Sequence, residues 1–247
     1  MSGNEPLLLS LETSTRCSSV ALTRGTLAVG EVLAEMSLSS NITHSRRLVT
    51  AVDTLLSETQ TDWQQIVGIG AGLGPGSFTG LRIGMATAKG FAFAGQKRML
   101  GVSTLDALAA MCVTRRRICA VIDARKKQVY MAFYRWVEGE GVVREGELRA
   151  LSPQRLTEEI REPILMVGDG VCTYGRFFQD ELKSMVTFAP AVLHRPSAAA
   201  VGLLCGRLYA NGEFLDSAGS TPHYVRASDA ELSLADKKRR TKDGVSR

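Results

Sequence analysis

Histidine and cysteine are scarce in this sequence, and neither is spaced like a metal ligand. The three histidines in 247 residues lie far apart, and the five cysteines are scattered without a C-x-x-C pair. An odd number of cysteines also argues against a disulfide framework. We therefore expect buried free thiols and no metal ion. These residues are His44, His194 and His223, and Cys17, Cys112, Cys119, Cys172 and Cys205.

Long hydrophobic runs are also missing. Hydrophobic residues make up 45% of the chain, but they are spread along it. No apolar stretch approaches the roughly 18 residues that a membrane span requires. Residues 1–6 lack the basic segment and the apolar core of a signal peptide. We therefore expect a cytoplasmic protein that makes no contact with a membrane.

The net charge of +5 comes from one end of the chain. Six basic residues lie between positions 237 and 247 against a single acid, Asp243, so the rest of the chain has no net charge. A short basic run at a terminus is typical of a solvated tail, and the alternative is a non-specific electrostatic contact with RNA. We predict that residues 236–247 form a basic, disordered tail.

Residues 1–113 are predicted to form a first lobe of strands and helices. Apolar alternation indicates three strands, which are followed by an amphipathic helix beginning near His44. A short apolar strand at residues 66–71 then enters a glycine-rich loop. A helix from about Ser77, a strand and a last helix complete this lobe.

The second half repeats this order of elements, and we predict a second lobe at residues 114–235. A second meander at residues 118–148 is followed by a helix that opens with Ser152 and Pro153. Setting Glu12 against Asp123 aligns the two halves. Two similar β-meander/α/β/α lobes facing each other across a cleft describe an α/β protein with the fold of actin, sugar kinases and Hsp70 (the ASKHA fold).

A cluster of polar residues ends the first predicted strand. Glu12 is followed there by Thr13 and Ser14. An acid at a strand end beside a cleft can hold a magnesium-bound water, while hydroxyls contact phosphate. The structural alternative is a turn that satisfies its own backbone. Together with Asp123, these residues are our candidates for a weak or vestigial nucleotide site, although we expect no cofactor to be required.

The helix that follows the glycine-rich loop carries small residues every four positions. Gly80, Gly84, Ala88 and Ala92 therefore share one face. Such a face lets another helix approach closely, as small-residue stripes do in membranes. It can also pack on the chain's own sheet. We expect Phe78, Leu81, Met85 and Phe93 to face the sheet, which leaves the small residues for a partner.

These motifs together resemble the bacterial TsaB (YeaZ) family. The resemblance rests on Glu12-Thr-Ser-Thr, on His44-Ser, on Gly74-Pro-Gly-Ser-Phe-Thr-Gly-Leu-Arg-Ile-Gly84 and on Ala88-Lys-Gly90. Pro222-His-Tyr-Val-Arg226 and Asp229-Ala-Glu231 resemble the family's usual ending. The similarity covers roughly residues 7–231 and is strongest up to about Ala110.

The resemblance implies a non-catalytic role in the modification of tRNA. Family members support the catalytic paralogue TsaD, together with the ATPase TsaE, in placing a threonylcarbamoyl group on the adenosine beside the anticodon (t6A). The substrates are tRNAs that decode codons beginning with A. The resemblance further implies that tRNA is contacted mainly through the complex, and that the protein forms a homodimer when it is alone.

The same resemblance implies which surface meets the partner. We expect the first-lobe helices to form it through His44, Leu48, Val52, Gly80, Gly84 and Ala88. In the catalytic paralogue an H-x-x-x-H pair binds a metal ion, whereas Thr104 and Leu108 occupy the matching positions here. A hydroxyl and an isobutyl group cannot replace two imidazoles.

Two other classes of function compete with this interpretation. A nucleotide-dependent kinase or ATPase would use Glu12 and Asp123 across the cleft, but no glycine-rich phosphate loop follows either strand. A metallo-glycopeptidase would require the metal site that the sequence lacks, and fold-level analogy cannot supply it.

Overall fold

The computed structural model describes residues 5–39, 44–217, 219–223 and 225, leaving out the side chains of residues 44–46. This part of the chain contains ten strands and six α-helices. In chain order they are β1 Leu7–Glu12, β2 Cys17–Arg24, β3 Glu31–Ser39, α1 His44–Glu58, β4 Gly68–Gly72, α2 Phe78–Gly95, β5 Arg98–Val102, α3 Thr104–Ala110, β6 Arg117–Arg125, β7 Gln128–Val137, β8 Gly141–Leu151, α4 Pro153–Glu159, β9 Ile164–Val167, α5 Asp169–Leu182, β10 Val186–Phe188 and α6 Ala198–Ala210.

The strands form two five-stranded sheets with the same topology. The first has the order β3-β2-β1-β4-β5, and the second has the order β8-β7-β6-β9-β10. In each sheet three antiparallel strands are joined by hairpins, and two parallel strands follow through helical connections. The predicted duplication and the two-lobed ASKHA fold are therefore confirmed.

The helices begin where hydroxyl side chains can cap them. Ser77 Oγ accepts a hydrogen bond from the Gly80 N–H at the start of α2, and Ser152 Oγ accepts one from the Arg155 N–H at the start of α4. Pro153 occupies the first turn of α4, where its missing N–H has no consequence. The start of α4 was predicted correctly.

Each sheet is covered by helices on both faces. Helices α1 and α2 pack on one face of the first sheet, and α4 and α5 pack on the corresponding face of the second. The opposite faces are covered by exchanged helices. Helix α6, from the end of the chain, packs on the first sheet, whereas α3, from the first half, packs on the second.

The exchange of α3 and α6 bears on the predicted lobe boundaries. A break at residue 113 assigns α3 to the first lobe and α6 to the second, but each covers the other lobe's sheet. The chain after α6 also returns to the first lobe, because the Leu215 N–H donates to the Met99 carbonyl and the His223 N–H donates to the Leu73 carbonyl, both at 2.8 Å. The predicted ending around Asp229 and Glu231, and the basic tail, lie outside the described residues.

Candidate functional site

The carboxyl group of Glu12 is buried at the end of β1. It is 1% exposed. Its Oε1 accepts a hydrogen bond from the Ser14 N–H at 2.6 Å, and its Oε2 accepts one from the Thr104 hydroxyl at 3.1 Å. Burial raises the pKa of this carboxyl group, and the hydrogen bonds from Ser14 and Thr104 offset only part of that effect. Glu12 thereby joins the end of β1 to the start of α3.

Thr13 and Ser14 are equally buried, each at 1% exposure. The Thr13 hydroxyl donates to the Gly80 carbonyl at 2.8 Å, and the Ser14 carbonyl accepts from the Ser77 N–H at 2.6 Å. The turn after β1 is thus attached to the first residues of α2. The Thr13 hydroxyl thus satisfies a carbonyl of α2, whereas the structural alternative for this motif had the hydroxyls satisfy the backbone of their own turn.

Asp123 occupies the equivalent position in the second lobe and has a different environment. Its Oδ1 accepts from the Arg125 N–H at 2.8 Å, and its Oδ2 accepts from the Thr173 hydroxyl at 3.4 Å. Its own N–H donates to Asp169 Oδ1 at 3.0 Å. Of the two equivalent acids, only Asp123 reaches the surface, with 11% of its side chain exposed.

Asp169 is an acidic residue that the sequence analysis missed. It is the first residue of α5, and its pKa is raised by burial and by the neighbouring charge of Asp123. The available signal was Gly168-Asp169-Gly170 directly after a short apolar run. By chain repetition that segment is the counterpart of the glycine-rich loop after β4.

Most of the residues predicted for the partner surface are buried in the fold. Leu48 and Val52 are 2% and 3% exposed and belong to the core between α1 and the first sheet. Ala88 is fully buried in the same core, and a Cβ atom added at Gly84 would overlap the Thr13 hydroxyl. The small-residue stripe thus faces its own sheet, because Leu81 and Met85 lie on the same side of α2 and anchor it there. Gly80 is buried with this stripe.

The outcome differs for His44, which was predicted for the partner surface, and for Phe93, which was predicted to face the sheet. The side chain of His44 lies outside the described part of the chain. Phe93 was expected to face the sheet, and this is wrong, because Phe93 is 87% exposed.

The outward side of α1 and α2 is a second surface of small and apolar residues, which we call the α1/α2 face. We define it by the exposed small and apolar residues Val49 of α1 and Ala86, Gly90 and Phe93 of α2. Val49 is 53% exposed, and a Cβ atom added at Gly90 would meet nothing within 4 Å. A helix could approach α2 closely along this line.

Thr104 and Leu108, which the resemblance sets against the histidine pair of the catalytic paralogue, both lie in α3. Both side chains are fully buried. The Thr104 hydroxyl donates a hydrogen bond to Glu12, and Leu108 packs in the core between α3 and the second sheet. Across the described residues, no group of three or more His, Cys, Asp or Glu side chains could hold a metal ion. A search of the same residues found no helix of the length and apolar character needed to cross a membrane.

Known proteins resemble the chain over most of its length. The family model for TsaD, tRNA N6-adenosine threonylcarbamoyltransferase, matches residues 31–234. The tRNA threonylcarbamoyladenosine biosynthesis protein TsaB of Bacillus subtilis is 29% identical over 230 residues, which are 91% of this chain and 96% of that protein. TsaB of Escherichia coli is 35% identical over 159 residues, or 63% of this chain and 66% of that protein.

The solved structure of YeaZ from Pseudomonas aeruginosa is 30% identical and superposes with a TM-score of 0.74. The match covers 89% of this chain and 99% of that one. Sequence and architecture therefore agree over both lobes, and the chain belongs to the TsaB (YeaZ) family within the wider TsaD family.

Proposed function

We propose that this protein is a non-catalytic subunit in the synthesis of t6A in the tRNAs that decode codons beginning with A. It acts in the cytoplasm, where it binds a TsaD-like catalytic paralogue and works with a TsaE-like ATPase. The names of the relatives from B. subtilis and E. coli, both threonylcarbamoyladenosine biosynthesis proteins, support the pathway. The structure of the cleft supports the non-catalytic role.

The observation that carries this proposal is the sealed floor of the cleft. A catalytic group must reach its substrate, but Glu12 and Thr104 are buried and bonded to each other. The resemblance sets Thr104 and Leu108 against the metal-binding histidines of the catalytic paralogue, and here Thr104 donates to Glu12 while Leu108 packs in the core. Glu12 and Thr104 therefore stabilise the fold and are closed to a substrate.

The α1/α2 face is the surface that we assign to the partner. Val49 and Phe93 expose large apolar side chains there, and Gly90 leaves room for close approach. Exposed apolar residues beside a flat helix surface are typical of a protein contact. We expect the same face to bind a second copy of the chain when the paralogue is absent, which gives a two-fold symmetric homodimer.

A nucleotide-dependent kinase or ATPase is the competing proposal, and the geometry disfavours it. Such an enzyme needs an acid that reaches Mg²⁺-phosphate from each lobe. Asp123 has 11% of its side chain exposed, whereas Glu12 is buried, with 1% of the residue exposed. Any residual nucleotide binding would be weak and would rely on the second lobe.

Depletion of the protein in its native host tests the pathway. Hydrolysed tRNA is analysed for t6A by mass spectrometry before and after depletion. We expect t6A to fall, and we expect a plasmid copy of the wild-type sequence to restore it. An unchanged t6A content after depletion would contradict the proposed function.

A substitution at Gly90 tests the partner surface. Gly90→Leu places an isobutyl group in the open space of the α1/α2 face, so the isolated chain should fold normally while binding of the paralogue weakens by about ten- to a hundredfold, as expected for an overpacked contact. The matched control is Gln154→Leu, which adds the same side chain at an exposed helical position of the second lobe. Equal affinity of the two variants, measured by titration calorimetry, would place the interface elsewhere.

A further inference from the structure

A short segment of residues 194–197 carries the chain from the second lobe into α6. Before this segment, the Ala189 N–H donates to the Met166 carbonyl of β9 at 2.9 Å. After it, the Ala198 N–H donates to the Ser19 hydroxyl of β2 at 2.9 Å. The chain therefore changes lobes within residues 194–197, which we call the crossing segment.

The crossing segment is tied to both lobes by side chains. Arg195 Nη1 donates to the Ser39 hydroxyl at the end of β3 at 3.0 Å, which is a contact with the first lobe. On the other side, His194 Nδ1 accepts a hydrogen bond from the Gly168 N–H at 3.2 Å. That hydrogen bond is buried, since His194 is only 6% exposed. His194 thus ties the crossing segment to the second lobe.

The turn at Gly168 is closely packed against other elements as well. Gly168 lies between β9 and α5 with a φ of 114°, a conformation that L side chains rarely adopt. A Cβ atom added there would overlap the Val121 carbonyl oxygen of β6 and would lie 3.2 Å from the Leu108 side chain of α3. This turn therefore meets the second sheet, α3 and, through His194, the crossing segment.

The hydrogen bond to Gly168 requires a neutral imidazole. A ring nitrogen accepts a hydrogen bond only when it carries no proton, so the neutral ring of His194 holds its proton on Nε2. Protonation of Nδ1 would set two N–H groups against each other and would place a charge in a buried site. Burial accordingly lowers the pKa of His194 from its ordinary value of 6.5. The neutral ring and its hydrogen bond are therefore present at neutral pH.

Ionisable side chains on the elements that adjoin the crossing segment and the Gly168 turn bond to other groups. They are Asp123 at the end of β6, Asp169 of α5, Asp106 of α3, Glu35 of β3 and Arg195 of the crossing segment itself. The lowered pKa of His194 has burial as its cause and no contribution from these charges. A fall in pH therefore acts on this hydrogen bond through His194 itself.

We propose that His194 makes the crossing segment sensitive to pH. The neutral ring anchors the segment to the turn at Gly168, and protonation frees its second-lobe end while its first-lobe end stays bound. Because the folded-state pKa lies below the unfolded-state value, the anchor stabilises the fold fully above about pH 6.5, and this contribution is lost as the pH falls below that value. This property belongs to the folded chain alone and holds whether or not the protein takes part in t6A synthesis.

Amide hydrogen exchange of the full chain, followed by NMR at a series of pH values, tests the proposal. Protection factors are compared, since they remove the intrinsic pH dependence of exchange. The protection of the Gly168 N–H should fall below about pH 6.5 by up to about tenfold per pH unit, because opening takes up one proton. It should level off once His194 is protonated in the fold, which the ring-proton signals of His194 report. The Ala198 N–H, bonded to Ser19 of the first lobe, should keep its protection.

Two substitutions separate the hydrogen bond from the titration. His194→Asn places a carbonyl oxygen near the position of Nδ1, so it should keep Gly168 protected at neutral pH and remove the pH dependence. His194→Leu has no acceptor, so Gly168 should exchange faster than in wild type at neutral pH, by roughly tenfold or more. His223→Asn is the control and should behave like wild type, because His223 is exposed and its N–H donates to Leu73 of the first lobe.

Constant protection of Gly168 in the wild-type chain as the pH falls would overturn the proposal, and so would an equal fall in His194→Asn. A parallel loss of protection at Ala198 would also overturn it, because acid would then unfold the chain as a whole. The first and third of these results are obtained on the wild-type chain, so they hold even if a variant fails to fold.

Discussion

The protonation of the Glu12 carboxyl group is coupled to folding. Its folded-state pKa is raised from 4.5 because it is desolvated. Its contribution to stability is therefore fully present below the unfolded-state pKa and is lost as the pH rises through the folded-state value. Each unit of the difference corresponds to about 1.4 kcal/mol.

Glu12→Gln should remove this dependence. The amide imitates the protonated acid, since its carbonyl can accept from the Ser14 N–H while its NH₂ group meets Thr104. We expect the free energy of unfolding of wild type, relative to that of the variant, to fall as the pH rises above the unfolded-state pKa of about 4.5. Urea titrations at several pH values measure this difference. Parallel curves for the two proteins would show that Glu12 is ionised in the fold at little cost.

Gly84 and Gly90 lie on the same helix and should respond in opposite ways to the same substitution. Gly84→Leu forces a side chain into the Thr13 hydroxyl and should destabilise the fold by about 1–3 kcal/mol or more. Gly90→Leu enters open space, and leucine is a better helix former than glycine, so its stability should match or exceed wild type. Chemical denaturation of the two variants gives the comparison. A stable Gly84→Leu would mean that the stripe is open to a partner after all.

Helix α2 shows how much an element's sequence can predict and what it leaves open. The period of four in its small residues was correct, and so was its start at Ser77. The orientation was wrong because small residues occur on both sides, at Gly84 within and at Gly90 outside. The large side chains indicate which of these two sides is buried. Leu81 and Met85 share the side of Gly84 and Ala88, and apolar residues at these intervals define the buried face of a helix.

Helix α6 is attached to the first sheet through its N-terminus. Glu35 of β3 accepts hydrogen bonds from the Ser197 hydroxyl at 2.8 Å and from the Ala199 N–H at 3.2 Å. Ser19 of β2 accepts one from the Ala198 N–H at 2.9 Å. A carboxylate at this position satisfies free N–H groups and interacts favourably with the helix dipole.

Glu35→Ala should therefore loosen α6 and lower stability by about 1 kcal/mol. Glu31→Ala is the control, because Glu31 lies on the same edge strand, is exposed and pairs with the half-buried Arg24, a kind of contact worth about 0–1 kcal/mol. Hydrogen exchange should be faster in α6 for Glu35→Ala alone. Equal exchange in the two variants would show that the cap does not hold the helix.

At the scale of the whole molecule, the sequence predicted the order of elements but not the exchange of helices. Apolar periodicity shows that a helical face is buried without showing which surface covers it. Leu105 and Leu108 are fully buried, as their pattern indicates, but they pack on the second sheet. The same limit applies to the cleft. Glu12 and Asp123 occupy equivalent strand ends, and only packing in three dimensions seals one of them.

The exchange of α3 and α6 predicts that neither half of the chain folds alone. A fragment of residues 1–113 lacks α6, so Leu8 and Leu100 lose their cover on the first sheet. A fragment of residues 114–247 lacks α3, which exposes Ile118 and Ile122 on the second. Exposed apolar faces of this size cost more than the marginal stability of a small domain.

We expect each fragment alone to give no cooperative thermal transition, and the two expressed together to form a folded complex, because α3 and α6 then complete both cores. Circular dichroism melts and gel filtration measure this. The control is the full chain with a protease site after the exposed Val113, cut after folding, whose halves should stay together without denaturant. A cooperative melt from either fragment alone would show that its sheet is stable without the exchanged helix, and that the two lobes are independent domains.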